Sequence, residues 1–123
     1  MFVTGAVWLV VDWQKSISDK EYWQTSAAWL LMLHGGLAMA TLLLLGALLP
    51  LHAHRAWRSK RNRISGATML ASNSVLIATS FGLYYAGSEA IRPWISDIHI
   101  ATGLCLPVLL VLHIALGRRT SSR

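Results

Sequence analysis

The stretch Trp94–Gly117, W-I-S-D-I-H-I-A-T-G-L-C-L-P-V-L-L-V-L-H-I-A-L-G, decides how this chain is read. It is apolar and about as long as a bilayer core is thick. It carries two histidines, His99 and His113, fourteen positions apart. On a helix that step covers about 21 Å and returns to nearly the same face. Ionisable side chains inside a membrane helix are costly and by default mark a site. Two on one stripe, near opposite ends of one span, point to two stacked metal centres.

Composition agrees with a membrane setting. The chain has 123 residues, of which 54% are hydrophobic and 13% charged, with a mean hydropathy of +0.49. A water-soluble domain carries about 25% charge. The expected fold is all-α, an integral membrane helix bundle forming one unit over residues 1–123. It has three full transmembrane helices, at about 27–54, 65–86 and 94–117, plus a short N-terminal helix. The net charge of +6 is gathered in two clusters, so it reads as topology and not as nucleic-acid binding. Cys105 is the lone cysteine, which leaves no disulfide framework; it reads as inert packing. Met1–Val11 lacks the basic start and the cleavage site of a signal peptide.

Phe2 to Val11 is apolar and Asp12 ends the run. Through Trp13 it makes a helix of about 18 Å, too short to span. Asp12 to Ser26 reads as a polar connection, with Ser26 as N-cap of the next helix. In that helix, Ala27 to Leu51 has no charge and one strongly polar residue, His34. Pro50 is placed to kink its end. Arg55, Arg58, Lys60, Arg61 and Arg63 follow, and the positive-inside rule puts their loop in the cytoplasm. The second span carries Ser72, Asn73, Ser74, Thr79 and Ser80, of the kind that faces neighbouring helices. Gly87 to Asp97 is a nearly charge-balanced outer loop. Arg118, Arg119 and Arg123 return the C-terminus to the inside. Trp23, Trp29 and Trp94 mark the outer interface and Trp57 the inner one.

The first and third spans run in the same direction. His34 and His99 therefore share the outer leaflet, and His52 and His113 the inner end. The step from His34 to His52 is eighteen residues, five turns, so the face repeats. His54 points elsewhere and reads as an interfacial residue. Two cross-helix pairs result, His34 with His99 and His52 with His113. Haem iron takes such a pair, one neutral imidazole on each side of the ring. Gly103, one turn after His99, leaves room for a ring near the backbone, and Ala38 and Thr41 are the small residues on the other stripe. Arg92 outside, and Arg55 or Arg58 inside, are the cations available for propionates. The inner pair is the more strained, because its histidines stand about 27 Å from His34 on one helix but about 21 Å from His99 on the other.

Several segments carry a resemblance: H-G-G-L-A-M from His34, R-N-R-I-S-G from Arg61, G-L-Y-Y from Gly82, D-I-H-I-A-T-G from Asp97 and L-H-I-A-L-G-R-R from Leu112. In this order they resemble small bacterial membrane proteins of the cytochrome b561-like class, including four-helix members of unassigned function. The resemblance implies a four-helix, bis-histidine b-type cytochrome with two haem b groups. It also implies an electron-transfer subunit that exchanges with quinone or another cytochrome in the bacterial cytoplasmic membrane. The shortened first helix departs from that pattern.

No nucleophile, acid–base pair or nucleotide motif stands out, so catalysis is left to a partner subunit, with membrane lipid and a second copy as further partners. Two other readings fit the same residues. Histidines in membrane helices also hold (bacterio)chlorophyll magnesium, and a cofactor-free scaffold of a larger complex needs no ligand at all. A histidine-relay metal transporter would need acidic partners in the core of the spans, which holds none. Asn73 reads as an interhelical hydrogen-bonding residue, and Met32, Met39 and Met69 as apolar surface residues.

Overall fold

A computed structural model describes residues 1–18, 20–58 and 62–121, the side chains of 52–57 and 119–121 excepted. It contains four α-helices and, among the described residues, no strand. They are α1 (Phe2–Ile17), α2 (Glu21–Arg58), α3 (Arg63–Tyr85) and α4 (Arg92–Ser121). Among the described residues three segments are long and apolar enough to cross a membrane, Glu21–Leu51, Arg63–Tyr85 and Arg92–Arg118. At 16 residues, α1 is about 24 Å long and falls short of a bilayer core of about 30 Å. The expected all-α fold, with three spans and a short first helix, is what the chain adopts.

The helices run further than polarity suggests. The first continues past Asp12 to Ile17, where Lys15 Nζ meets Asp12 Oδ1 at 2.6 Å one turn away. Lys15 also suits the negative end of the helix dipole. Ser18, in extended backbone, ends it. The second helix starts at Glu21, so Ser26 lies inside it and does not cap it. Glu21 meets the positive end of the dipole, and nothing from Tyr22 to Ser26 breaks a helix. The polar run marks where the chain leaves lipid, not where helix stops.

Prolines inside α2 and α4 do not end them. Pro50 and Pro107 each lack the N–H that would bond four residues back. In both cases the residue four back is a glycine, Gly46 and Gly103. At the start of α3, Asn62 sits in left-handed backbone at φ 50, a region that asparagine tolerates. At its end the Ala86 N–H donates to the Gly82 carbonyl at 2.7 Å, and Pro93 stands in the first turn of α4, where its missing N–H costs nothing.

The chain divides into two compact units, Met1–Leu51 and His52–Arg123, with the division just after Pro50. In the first unit α1 meets α2 where Gly5 approaches His34. A Cβ on Gly5 would lie 3.1 Å from His34 Cε1. In the second unit α3 and α4 form an antiparallel hairpin. Its contacts step down one helix as they step up the other: Gly82 against Ile95, Thr79 against His99, Gly103 against Leu76, Gly66 against His113, and Gly117 against Asn62. Four of these five contacts use a glycine on one side, which lets the two backbones close together.

Burial is the reverse of a soluble protein. Among the described residues only Ala27 and Leu76 are buried, while large apolar side chains such as Leu43, Leu51, Val111 and Trp94 stand exposed. A surface of this kind is compatible with lipid around it. Three exposed hydroxyls are satisfied within their own helices, as suits lipid. Thr41, Thr68 and Ser74 each donate to the carbonyl four residues back, at 2.8, 3.0 and 3.0 Å.

Candidate functional site

Three of the four expected histidine ligands have described side chains. His34, His99 and His113 are each half-buried on helices whose apolar residues mostly face outward. Each turns its ring toward the helix packed against its own. In every case a hydroxyl on that helix meets Nδ1.

In the first unit, Thr4 Oγ1 stands 3.0 Å from His34 Nδ1. The same hydroxyl bonds the Met1 carbonyl at 2.8 Å. Gly5, next to Thr4, lets α1 come close enough for this contact. In the second unit, Thr79 Oγ1 stands 2.9 Å from His99 Nδ1, while also reaching the Val75 carbonyl at 2.7 Å. At the other end of the hairpin, Ser65 Oγ stands 3.0 Å from His113 Nδ1 and 3.3 Å from the Asn62 carbonyl. Both α4 histidines thus reach α3, which agrees with the single face expected from their spacing.

Such an arrangement suits an imidazole that binds metal through Nε2. The second ring nitrogen of a metal-bound histidine is normally held by an outer partner that fixes the ring's orientation. Sequence reasoning found the histidines but not Thr4 or Ser65. It grouped Thr79 with helix-packing residues in general. The missed signal was the match in depth between each histidine and a hydroxyl on the helix it packs against, which depends on the register between helices.

The remaining expected residues fall in different places. The side chains of His52 and Arg55 lie outside the described residues. Arg92 is exposed at the start of α4, with Nη1 3.4 Å from the Ala86 carbonyl at the end of α3. Gly103 faces α3, where a Cβ would sit 3.8 Å from Leu76 Cδ2. Asn73, expected to bond a neighbouring helix, instead donates to its own helix at the Met69 carbonyl, 2.8 Å away. Cys105, expected to be packed, is exposed. Met32 and Met39 are also exposed.

Within the second unit an open cavity of about 720 Å³ runs between the Asn62 end of α3 and the last turns of α4. Asn62, Arg63 and Ser65 supply its polar side, and Leu109, Leu112 and Leu116 its apolar wall. It is open on one side and its lining is mainly apolar. Ser65, which holds His113, is shared between the cavity and the histidine contact.

No three His, Cys, Asp or Glu side chains converge on a bare-ion site among the described residues. No protein-family model matches the chain, and no curated protein or solved structure is significantly similar to it.

Proposed function

We propose that this chain is a di-haem b-type cytochrome subunit that carries electrons across or within a membrane. One observation carries the reading: three histidines inside apolar spans each have Nδ1 engaged by a hydroxyl from the packed helix. An outer partner on one ring nitrogen is what metal-bound histidines normally have, and the reading assigns ligation to Nε2. The donor set also fits. A bare structural ion asks for about four protein ligands, whereas a haem would ask this chain for only two imidazoles.

When bound, haem supplies one-electron ferric–ferrous chemistry. The chain's own residues do the remaining work. By sequence register His34 pairs with His99 in the outer leaflet, and His52 with His113 at the inner end. Along α4 those two levels are about 21 Å apart. Arg92 and Arg55 offer positive charge to propionates. The open cavity beside Ser65 gives an amphiphilic carrier such as a quinone a place to approach the inner level. The basic run Arg55–Arg63 and the C-terminal arginines put both on the cytoplasmic side of a bacterial inner membrane. Catalysis belongs to a partner redox subunit.

The test is a pair of ligand replacements. His99→Leu should remove one of two haem signals, and His113→Leu the other. Full haem absorbance retained after His99→Leu would end this reading.

A further inference from the structure

We infer that Thr79, Thr4 and Ser65 act as tautomer locks, holding His99, His34 and His113 with the proton on Nδ1 and the lone pair on Nε2. The argument is one of counting protons. A hydroxyl has a single proton, and a carbonyl oxygen can only accept. Thr79 Oγ1 lies 2.7 Å from the Val75 carbonyl oxygen and 3.1 Å from that of Leu76. Its proton is therefore spent within α3. The contact of the same oxygen with His99 Nδ1, at 2.9 Å, must then take its proton from the ring. The opposite assignment would turn the hydroxyl toward the ring and leave two oxygens face to face at 2.7 Å with no proton between them.

The same count applies at the other two sites. Thr4 Oγ1 donates to the Met1 carbonyl at 2.8 Å and stands 3.0 Å from His34 Nδ1; the His34 ring also bonds the Met1 carbonyl, so here too the ring is the donor. Ser65 Oγ stands 3.3 Å from the Asn62 carbonyl, beyond the usual O–H···O range, and 3.0 Å from His113 Nδ1, so there the count supports the same assignment only weakly. Ser65 is the weakest of the three locks, because its own anchoring bond is the longest. An unrestrained neutral imidazole in water favours the other tautomer, with the proton on Nε2. The locks therefore hold these rings in the form that can ligate.

The acceptor type matters as well. A neutral hydroxyl draws less on the Nδ1 proton than a carboxylate does, so it enriches Nε2 only modestly. In this role the hydroxyls are positioning residues. That part rests on the proposed haem ligation; the tautomer itself does not.

The test is ¹⁵N NMR of histidine-labelled protein in detergent or bilayers. It would be run on the apoprotein and, where haem is bound, on the diamagnetic reduced form. The expected result is a protonated Nδ1 and an unprotonated Nε2 at His34, His99 and His113 in the apoprotein. Protonated Nε2, or a fast average of the two forms, would overturn the inference whether or not the protein binds haem. Thr79→Val should release the lock at His99, and Thr79→Ser should restore it. If haem binds, Thr79→Val should weaken it at one centre by about 10–100-fold and move that centre's midpoint potential, with rescue by Thr79→Ser. Unchanged affinity and potential in Thr79→Val would remove the positioning role and leave the haem reading standing. A wild-type protein that takes up no haem but shows the Nδ1 tautomer would keep the lock and lose the cytochrome.

Discussion

At the scale of single residues, Gly5 is the most exposed to test. Its α-carbon faces His34, and an added methyl would lie 3.1 Å from Cε1 and 3.5 Å from Nδ1. Alanine gains about 1 kcal/mol in helix propensity over glycine, but overpacking of this kind costs about 1–3 kcal/mol. Gly5→Ala should therefore displace the imidazole at little or no gain in stability. On the di-haem proposal, the readout is an altered environment of one haem, seen by EPR of the oxidised protein, with the other unchanged. Ser74→Ala is the matched control. Its hydroxyl bonds only its own helix at Leu70, and its removal should stay within about 0.5 kcal/mol. The histidines could be read from sequence because an imidazole in an apolar run stands out against its neighbours. Thr4 and Ser65 could not, because a hydroxyl in a membrane helix usually bonds its own backbone and looks the same whether or not it also reaches across.

Among the elements, the α3–α4 hairpin gives the sharpest prediction. A Cβ on Gly82 would meet Ile95 Cδ1 at 3.0 Å and Cγ2 at 3.1 Å. The δ-methyl can swing away, but Cγ2 moves only with the whole branched side chain. Gly82→Ala should destabilise the protein by about 1 kcal/mol, the overpacking cost less the propensity gain. Combining it with Ile95→Ala should relieve the clash and give a coupling energy in a double-mutant cycle. Additive effects in reversible detergent unfolding would contradict the contact. The spans themselves were legible from hydropathy, but their ends were not. Helix α2 begins at Glu21 and not near Ala27, and α1 extends past Asp12. Both shifts have one cause. Hydropathy reports where lipid ends, whereas glutamate, glutamine and lysine continue a helix into water at little cost.

Across the whole molecule, the membrane sets the terms. Outward leucines, inward imidazoles and hydroxyls bonded to their own carbonyls are the pattern of helices solvated by lipid. The charge clusters predict an orientation. A reporter fused after Arg123 should be active in the cytoplasm, and one inserted near Gly87 on the opposite side. The reverse result would break the positive-inside assignment. Class, span count and the histidine stripe of α4 were readable from sequence, because each follows from local composition and helical period. The hairpin register, the close glycine contacts and the hydroxyl partners were not, because they depend on how separate helices meet. The central claim is met most directly by a reduced-minus-oxidised visible spectrum of the purified protein, with pyridine haemochrome quantitation. The account predicts sharp reduced b-type bands and about two haems per chain, one for each bis-imidazole level. Protein produced with ample haem that shows no such bands would contradict it.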